Sequence, residues 1–254
     1  MDSEKNISIT AIHGNGGGGF RFDMAKSLFP KNIKFYNPTL PGFDIKNKTA
    51  ERLSINEYAD WLADYMRNIQ RPRILMGHGL GGVFILEFLQ KHAALVDGVI
   101  LHSIVGANLN KRIFPKLMKL PGVAFLAKNL IASSLFRPIF RRRFFQNKID
   151  SNFEKIFFDA FGKCEAFESM FQQIDYSWFK KLIPIDVPAT FLWGEKDWIL
   201  KPSEINELKK IFPCHSKLII PGWDHFPMID QPESYAFEVT KIATDLTVKS
   251  HVSK

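Results

Sequence analysis

The segment that most constrains the fold is residues 74–82, ILMGHGLGG, in which a short apolar run leads directly into a turn crowded with glycine. The apolar run predicts a buried strand, and residues 83–92 predict a helix that begins as the turn ends. A strand that passes straight into a helix requires a very sharp turn, in which side chains at Gly77 and Gly81 would collide with the two backbones. We therefore expect Gly79, at the centre, to adopt the strained positive-φ conformation that presents a side chain above the sheet.

Apolar runs typical of strands alternate with segments of helical periodicity on both sides of this turn. The clearest helix covers residues 54–69, because Ser54 is a good N-cap and Glu57 follows three residues later. Strands are predicted over 7–13, 33–36, 73–76, 96–103, 190–193 and 217–220, and the other helices over 20–29, 83–92, 204–211 and 234–246. Because strands separated by helices form parallel sheets with right-handed crossovers, the sequence predicts an α/β fold.

The alternation stops between residues 106 and 184, where the sequence is helix-like, rich in phenylalanine and without an obvious strand. It resumes from Val187 onward with a strand, a helix, a strand and a final helix. The simplest organisation is an α/β core made of residues 1–105 and 185–254, interrupted by a helical cap over residues 106–184.

Positive charge is concentrated in this predicted cap. The whole chain has a formal net charge of +8, yet no acidic residue lies between Asp97 and Asp150. The ten cations in that window are Lys111, Arg112, Lys116, Lys119, Lys128, Arg137, Arg141, Arg142, Arg143 and Lys148. The basic character therefore belongs to one segment, and no nucleic-acid partner is expected because no recognised nucleic-acid motif accompanies the charge.

Cysteine usage and the N-terminal sequence bear on location and cofactors. The two cysteines, Cys164 and Cys214, lie far apart and have no neighbouring His or Cys at zinc-ligand spacing, so we expect idle thiols and no metal. The first residues lack the basic flank and apolar stretch of a signal peptide, and no apolar run approaches a membrane span. These features predict a cytoplasmic protein without a cofactor.

Four further segments lie directly after predicted strands or directly before the last predicted helix. HGNGG at 13–17 follows the first strand, PTLPGFD at 38–44 follows the second, GEKD at 194–197 follows the fifth, and PGWDHFP at 221–227 lies before the last helix. In this order they resemble the motifs of the α/β-hydrolase superfamily, in which the turn reads Gly-X-Ser-X-Gly and here reads Gly-His-Gly-Leu-Gly. The resemblance implies an α/β-hydrolase fold: a mostly parallel sheet flanked by helices, with a helical cap insertion.

The same resemblance assigns roles to individual residues. It places Gly79 at the nucleophile position, the acid at Asp197 and the catalytic histidine at His225, and it implies an oxyanion hole formed by the backbone N–H groups of Asn15 and Leu80. The side chains assigned to substrate binding are His78, Phe114, Phe125 and Trp223. The expected partner is a small-molecule substrate with an apolar acyl portion.

Glycine at position 79 leaves three functions open. Because glycine has no hydroxyl, the acyl-enzyme route of a serine hydrolase is closed at this residue. The chain is then an ester or thioester hydrolase whose nucleophile was replaced, a water-activating or lyase-like enzyme that uses His225 and Asp197 as general base, or a non-catalytic ligand-binding protein. Glycine tolerates positive φ, so the fold is expected to survive the replacement. Ser103, just past a strand, is expected to be an ordinary polar strand end, and a replacement nucleophile is the alternative.

The cap also admits several interpretations. Apolar side chains interleaved with cations are typical of a small helical lobe with a solvated basic face. In the superfamily the insertion at this place is a lid that sets substrate choice, so residues beside Arg141, Arg142 and Arg143 could hold an acyl chain with an acidic head, such as a thioester of coenzyme A. Peripheral contact with an anionic membrane surface is the third interpretation.

Overall fold

A computed structural model of the chain describes residues 6–44, 52–106, 108 and 111–252. These residues form a six-stranded sheet in the order β2-β1-β3-β4-β5-β6, and every neighbouring pair of strands is parallel. The strands are β1 (Ile7–Ile12), β2 (Ile33–Tyr36), β3 (Arg73–His78), β4 (Gly98–His102), β5 (Ala189–Gly194) and β6 (His215–Ile220). All six predicted strands are present, and the predicted α/β fold is confirmed.

Helices connect the strands and fill the interruption between β4 and β5. In chain order they are α1 (Asp23–Lys26), α2 (Ile55–Arg67), α3 (Gly81–His92), α4 (Ile113–Met118), α5 (Val123–Ala132), α6 (Arg137–Phe144), α7 (Ser151–Lys163), α8 (Phe167–Gln173), α9 (Tyr176–Lys181), α10 (Ile205–Leu208), α11 (Pro227–Asp230) and α12 (Pro232–Val252). Helices α4 to α9 form the insertion, and the others belong to the alternating part of the fold.

The inner and outer strands differ in exposure. Every residue of β1, β4 and β5 is buried, and β3 is buried from Ile74 onward. The outer strands β2 and β6 contain exposed and half-buried residues. Burial of whole strands is what helices on both faces of a sheet produce, and it explains why the inner strands are unbroken apolar runs in the sequence.

The start of α2 is fixed by a capping box. The Glu57 N–H donates to Ser54 Oγ at 3.2 Å, and the Ser54 N–H donates to Glu57 Oε2 at 2.7 Å. The two interactions satisfy two backbone N–H groups of the first turn, as predicted from the sequence. The Tyr58 hydroxyl of the same helix donates to the Pro41 carbonyl at 2.8 Å, so α2 also holds the loop after β2.

Two helices predicted from the sequence are much shorter in the structure. Residues 20–29 form a 3-10 turn at Gly19–Phe22 and the single-turn helix α1, and residues 204–211 form a 3-10 turn at Pro202–Glu204 and the single-turn helix α10. Short segments gain little from helix propensity, so their packing decides where they end. Helix α12 is longer than predicted and begins at Pro232, which is favourable in a first turn.

The insertion packs against the rest of the chain through phenylalanine and one buried carboxylate. The rings of Phe157 and Phe226 lie 5.2 Å apart, which joins α7 to the loop before α11. The Asp230 carboxylate of α11 accepts the backbone N–H groups of Gln146 and Asn147, each at 3.1 Å. The predicted helical character of this region is confirmed, whereas its separation from the core as a cap domain stays a prediction.

The described residues contain no helix that is by itself long and apolar enough to cross a bilayer. Helices α5 and α6 meet that test only when they are taken together, and the chain bends by 90° between them. Within the same part of the chain, no group of three or more His, Cys, Asp or Glu side chains could hold a metal ion. Both cysteines are free thiols, Cys164 buried and Cys214 exposed.

Candidate active site

The turn between β3 and α3 is held by backbone hydrogen bonds. Gly79 has a φ of 56°. Its N–H donates to the His102 carbonyl at 3.3 Å, and its own carbonyl accepts the N–H groups of Gly82 at 3.3 Å and Val105 at 3.1 Å. The predicted positive φ is confirmed, and these contacts fix the turn without a side chain at residue 79.

The glycines on either side of Gly79 leave no space for a side chain. A Cβ atom built on Gly81 would lie 2.3 Å from the carbonyl oxygen of Ile12, and one built on Gly77 would lie 2.8 Å from the nitrogen of Gly82. Both distances are far below van der Waals contact with backbone atoms, which cannot move aside as a flexible side chain can. The collisions expected from the sequence at Gly77 and Gly81 are therefore present.

Position 79 itself has room. A Cβ built on Gly79 would lie 3.6 Å from the Cα of Gly14 and 3.9 Å from Nε2 of His225, and these are the only described atoms that it meets within 4 Å. A side chain at residue 79 would therefore fit without a collision and would extend beside the histidine ring. The space is bounded on one side by the loop after β1, residues 13–17, which we call the glycine loop, and on the other side by His225.

Asp197 and His225 are brought together from the loops that follow β5 and β6. Both residues are buried, and Nδ1 of His225 donates to Oδ2 of Asp197 at 2.9 Å. With its proton on Nδ1, the ring directs the lone pair of Nε2 toward Gly79. The other carboxylate oxygen, Oδ1, accepts the N–H groups of Ile199 and Leu200, each at 2.9 Å, so the acid is held by its own loop.

The pKa of Asp197 reflects two opposing effects. Burial is the largest single effect and would raise the pKa of this carboxyl group, but the interaction with His225, its hydrogen bond and the N–H of Leu200 together outweigh burial and hold the pKa below its usual value. The carboxylate therefore stays ionised at neutral pH. An ionised, hydrogen-bonded acid fixes the tautomer and the orientation of the histidine.

The loop after β1 lies opposite the turn between β3 and α3, residues 77–81, which we call the elbow. Among the described contacts, the backbone N–H groups of Asn15 and Leu80 donate to no acceptor. The Asn15 side chain ties the loop to the insertion, since its Nδ2 donates to the Phe167 carbonyl at 3.3 Å while its Oδ1 accepts the Gly16 N–H at 3.0 Å. The structure thus brings Asn15, Leu80 and Gly79 to one edge of the sheet, as expected from the sequence.

His13 supports this loop from below. Its Nδ1 donates to the Gly14 carbonyl at 3.0 Å, and its Nε2 accepts the N–H of Leu40 at 3.1 Å. Burial, with a smaller contribution from the nearby Arg21 charge, lowers the pKa of His13 to about 3, so the ring is neutral. A neutral ring that bonds two loops has a structural role, and the Leu40 contact explains the place of the 38–44 motif beside this loop.

Two predicted substrate contacts need correction. The side chain of His78 is 1 % exposed, and its Nε2 donates to the His225 carbonyl at 2.9 Å. Trp223 is fully buried, with its indole N–H donating to Ser234 Oγ at 3.1 Å. Neither side chain has surface left for a ligand. His78 supports the histidine loop through its bond to the His225 carbonyl, and Trp223 packs in the core beside it.

The other two predicted substrate residues lie on the outside of the insertion. Phe114 and Phe125 are both exposed, at 55 % and 57 %. Phe125 borders a surface cavity of about 120 Å³, whose lining comes from residues of the insertion and Arg52. The structure therefore does not bring these two rings together with Asp197 and His225, and their role in substrate binding stays a prediction.

Arg21 is a site residue that the sequence did not reveal. Its side chain is 2 % exposed, and its guanidinium donates to the carbonyls of Asn15 at 3.3 Å and Gly16 at 3.0 Å. It lies 4.7 Å above the Phe157 ring, and burial lowers its pKa to about 9. Within the described residues no carboxylate lies within 4 Å of it, so the carbonyls of the loop and the aromatic rings are its partners. An arginine after a glycine run gives no sign of such burial.

Ser103 lies beside the acid, at the end of β4. It has a φ of 45°, which is rare for a residue other than glycine, and it is fully buried. Its buried hydroxyl has no hydrogen-bond partner among the described residues, but it is near enough to Asp197 to help lower the pKa of that carboxyl group, after the larger effects of His225 and the Leu200 N–H. Ser103 is therefore more than a polar strand end, and it belongs to the surroundings of the acid.

Known proteins share the fold of this chain. The sequence profile described as the alpha/beta hydrolase family matches residues 11–239. The uncharacterized protein Mb2734 of Mycobacterium bovis is 24 % identical over 251 residues, which cover 90 % of this chain and 72 % of that protein.

Solved structures share the fold at low sequence identity. An esterase from Exiguobacterium antarcticum superposes with a TM-score of 0.77 and 14 % identity, covering 94 % of this chain and 92 % of its own. A type II thioesterase of the yersiniabactin biosynthetic pathway superposes with a TM-score of 0.68 and 18 % identity, covering 97 % and 96 %. With the profile matching most of its length, the chain belongs to the alpha/beta hydrolase family.

Proposed function

We propose that this chain carries the site of an ester or thioester hydrolase in which Gly79 occupies the position of the nucleophile. The observation that carries the proposal is the space at residue 79, where an added Cβ would lie 3.9 Å from Nε2 of His225 and collide with nothing. A hydroxyl one bond beyond that Cβ would come within hydrogen-bonding reach of Nε2. The site therefore lacks one hydroxyl group.

The other groups have the arrangement that acyl transfer requires. Asp197 fixes the tautomer of His225, whose Nε2 acts as the base that takes the proton from the nucleophile. The free N–H groups of Asn15 and Leu80 act as the oxyanion hole, and the insertion acts as a lid that shapes the acyl site. The esterase and thioesterase structures that share this fold support the same two substrate classes.

The test is the Gly79→Ser variant, with Gly79→Ala as its matched control. The two variants place the same Cβ at the same backbone position, so only the hydroxyl distinguishes them. We expect Gly79→Ser to hydrolyse p-nitrophenyl esters or acyl thioesters at least about a thousandfold faster than Gly79→Ala, because removing one member of a triad costs that much or more. A fluorophosphonate probe should label Gly79→Ser and not Gly79→Ala.

A second candidate is an enzyme without a covalent step. The same open space beside Nε2 can hold a water molecule in place of the hydroxyl, and the His225–Asp197 pair can then act as a general base. In that case the chain with Gly79 turns over substrate and His225→Ala abolishes the activity. An inert Gly79→Ser variant contradicts the hydrolase proposal, and ligand binding that is indifferent to His225→Ala indicates a non-catalytic binding protein.

A further inference from the structure

Exposed apolar side chains concentrate on the outside of the insertion. Among the described residues, fifteen large apolar side chains are strongly exposed, and nine of them lie between residues 113 and 139. The nine are Ile113, Phe114, Leu117, Leu120, Phe125, Leu126, Leu135, Phe136 and Ile139. Single exposed apolar residues are ordinary, but this density on consecutive helices marks an interaction surface.

The cations of the same region fall into two sets. Four of them make ion pairs with carboxylates elsewhere in the fold: Arg112 with Glu204, Lys128 with Glu168, Arg137 with Asp159, and Arg141 with Glu154. For the other six, no carboxylate among the described residues lies within salt-bridge distance. Of these, Lys111, Lys116, Arg142, Arg143 and Lys148 are exposed. The insertion thus combines exposed apolar groups with exposed cations that form no ion pair among the described residues.

Helix α5 presents its exposed side chains on the side away from the candidate active site. Helix α5 packs against α7, and α7 contacts the glycine loop so closely that a Cβ on Gly16 would lie 2.2 Å from the Phe161 ring. The buried side of α5 is formed by Ala124, Lys128 and Ile131, whereas Phe125 and Leu126 are exposed. The inner side of α5 therefore faces α7 and, beyond it, the loop after β1, whereas its outer side faces solvent.

We propose that the outer surface of α4, α5 and α6, residues 111–143, docks on the surface of an anionic lipid bilayer. Exposed apolar side chains enter the boundary between headgroups and acyl chains, and the cations bind the anionic headgroups around them. A second copy of the chain is a poor occupant, since two such surfaces would bring the exposed cations of one against those of the other, namely Lys111, Lys116, Arg142 and Arg143 of each copy. Nucleic acid would use the cations and leave the aliphatic side chains in water.

The proposal concerns binding and does not depend on the proposed hydrolase function. It is tested by flotation of the purified chain with vesicles, without any substrate. We expect the chain to float with phosphatidylcholine vesicles that contain about 30 % phosphatidylserine and to bind vesicles of pure phosphatidylcholine at least about tenfold more weakly. High salt should weaken the binding to the anionic vesicles.

Two pairs of variants test the two parts of the surface. Leu135→Ser with Ile139→Ser should weaken binding at least about tenfold, because 77 % and 59 % of these side chains are exposed. The matched control is Phe237→Ser with Val248→Ser, which are 68 % and 61 % exposed on α12 and should leave binding unchanged.

Lys116→Gln with Arg142→Gln should also weaken binding at least about tenfold, whereas the exposed pair Lys31→Gln with Lys209→Gln should not. All the substituted side chains are exposed, so circular dichroism should show unchanged folding.

Several outcomes would overturn the proposal. They are failure to float with anionic vesicles, equal binding to neutral and anionic vesicles, and equal effects of the surface and control variants. Sedimentation that shows a dimer in the absence of lipid, dissociated by Leu135→Ser with Ile139→Ser, would assign the surface to a second copy of the chain. An inactive Gly79→Ser variant has no bearing on any of these measurements.

Discussion

Substituting alanine for Gly79 tests the geometry of the elbow independently of any activity. A non-glycine residue in the left-handed region costs about 1–2 kcal/mol, and replacing glycine recovers about 0.4–1 kcal/mol from the unfolded chain. No described atom other than the Cα of Gly14 and Nε2 of His225 lies within 4 Å of the new Cβ, so no collision adds to this. We expect Gly79→Ala to lower the free energy of unfolding by about 1 kcal/mol, a decrease in Tm of about 2–4 °C.

Two further glycines provide the comparison: one is expected to match the cost of Gly79→Ala and the other to exceed it. Gly222 has a φ of 79° and no atom within 4 Å of an added Cβ, so Gly222→Ala should cost as little as Gly79→Ala. Gly81 is in α3, where the backbone suits alanine, but its Cβ would lie 2.3 Å from the Ile12 carbonyl oxygen. Gly81→Ala must displace β1 or α3, and we expect it to cost at least about 3 kcal/mol.

The assay is thermal and urea unfolding of the three variants beside the parent chain under identical buffer conditions. The expected order of destabilisation is Gly81→Ala well above Gly79→Ala, with Gly79→Ala close to Gly222→Ala. If Gly79→Ala costs as much as Gly81→Ala, position 79 is not open and a serine could not occupy it without distorting the site. If Gly79→Ala stabilises the chain, residue 79 is not held at positive φ.

Two predictions concern groups around the site. Burial and the neighbouring Asp224 carboxylate raise the pKa of Asp230 from 3.8 to about 7, so the folded chain keeps a proton that the unfolded chain releases. The contribution of Asp230 to stability is complete below pH 3.8 and is lost as pH rises toward 7, by at most about 1.4 kcal/mol per pH unit. Asp230→Asn should flatten this slope in urea unfolding at several pH values, and an unchanged slope would contradict the assignment. Arg21→Met removes the donors to the carbonyls of Asn15 and Gly16, so amide hydrogen exchange over residues 14–17 should accelerate. The free energy of unfolding should change by less than about 2 kcal/mol, because two effects oppose each other. The loss of two hydrogen bonds destabilises the fold, whereas removal of a buried charge that has no carboxylate partner stabilises it. Unchanged exchange would show that Arg21 does not hold the loop.

The parts of the fold that the sequence predicts are those in which one residue type has one physical consequence. Apolar runs such as residues 74–76 form strands because burial on both faces of a parallel sheet admits no polar alternation. Gly77 and Gly81 indicate the sharp turn because no other residue fits there. Ser54 with Glu57 indicates the start of α2 because their hydrogen bonds are local in sequence.

Site residues are predictable where they end a strand, and unpredictable where tertiary packing decides their exposure. Asp197 and His225 follow β5 and β6, so the sheet itself brings them together. A cation such as Arg21 usually indicates solvent exposure, and only the folded chain shows that aromatic rings and carbonyls enclose it. The burial of His78 and Trp223 escaped prediction because a motif gives the loop and not the direction in which each side chain points.

The backbone bonds that hold the elbow have a consequence for how this site changes under selection. Gly79 is fixed by His102, Gly82 and Val105 through main-chain atoms, and its positive φ makes glycine the most stable residue there. A serine at this position would be favoured by a reaction and not by stability, whereas Asp197 also accepts two N–H groups of its own loop and so contributes to folding as well. Under the proposed function, loss of the reaction would remove the hydroxyl first and leave its partners in place. Stability and chemistry act on residue 79 in opposite directions, and this chain has the residue that stability favours.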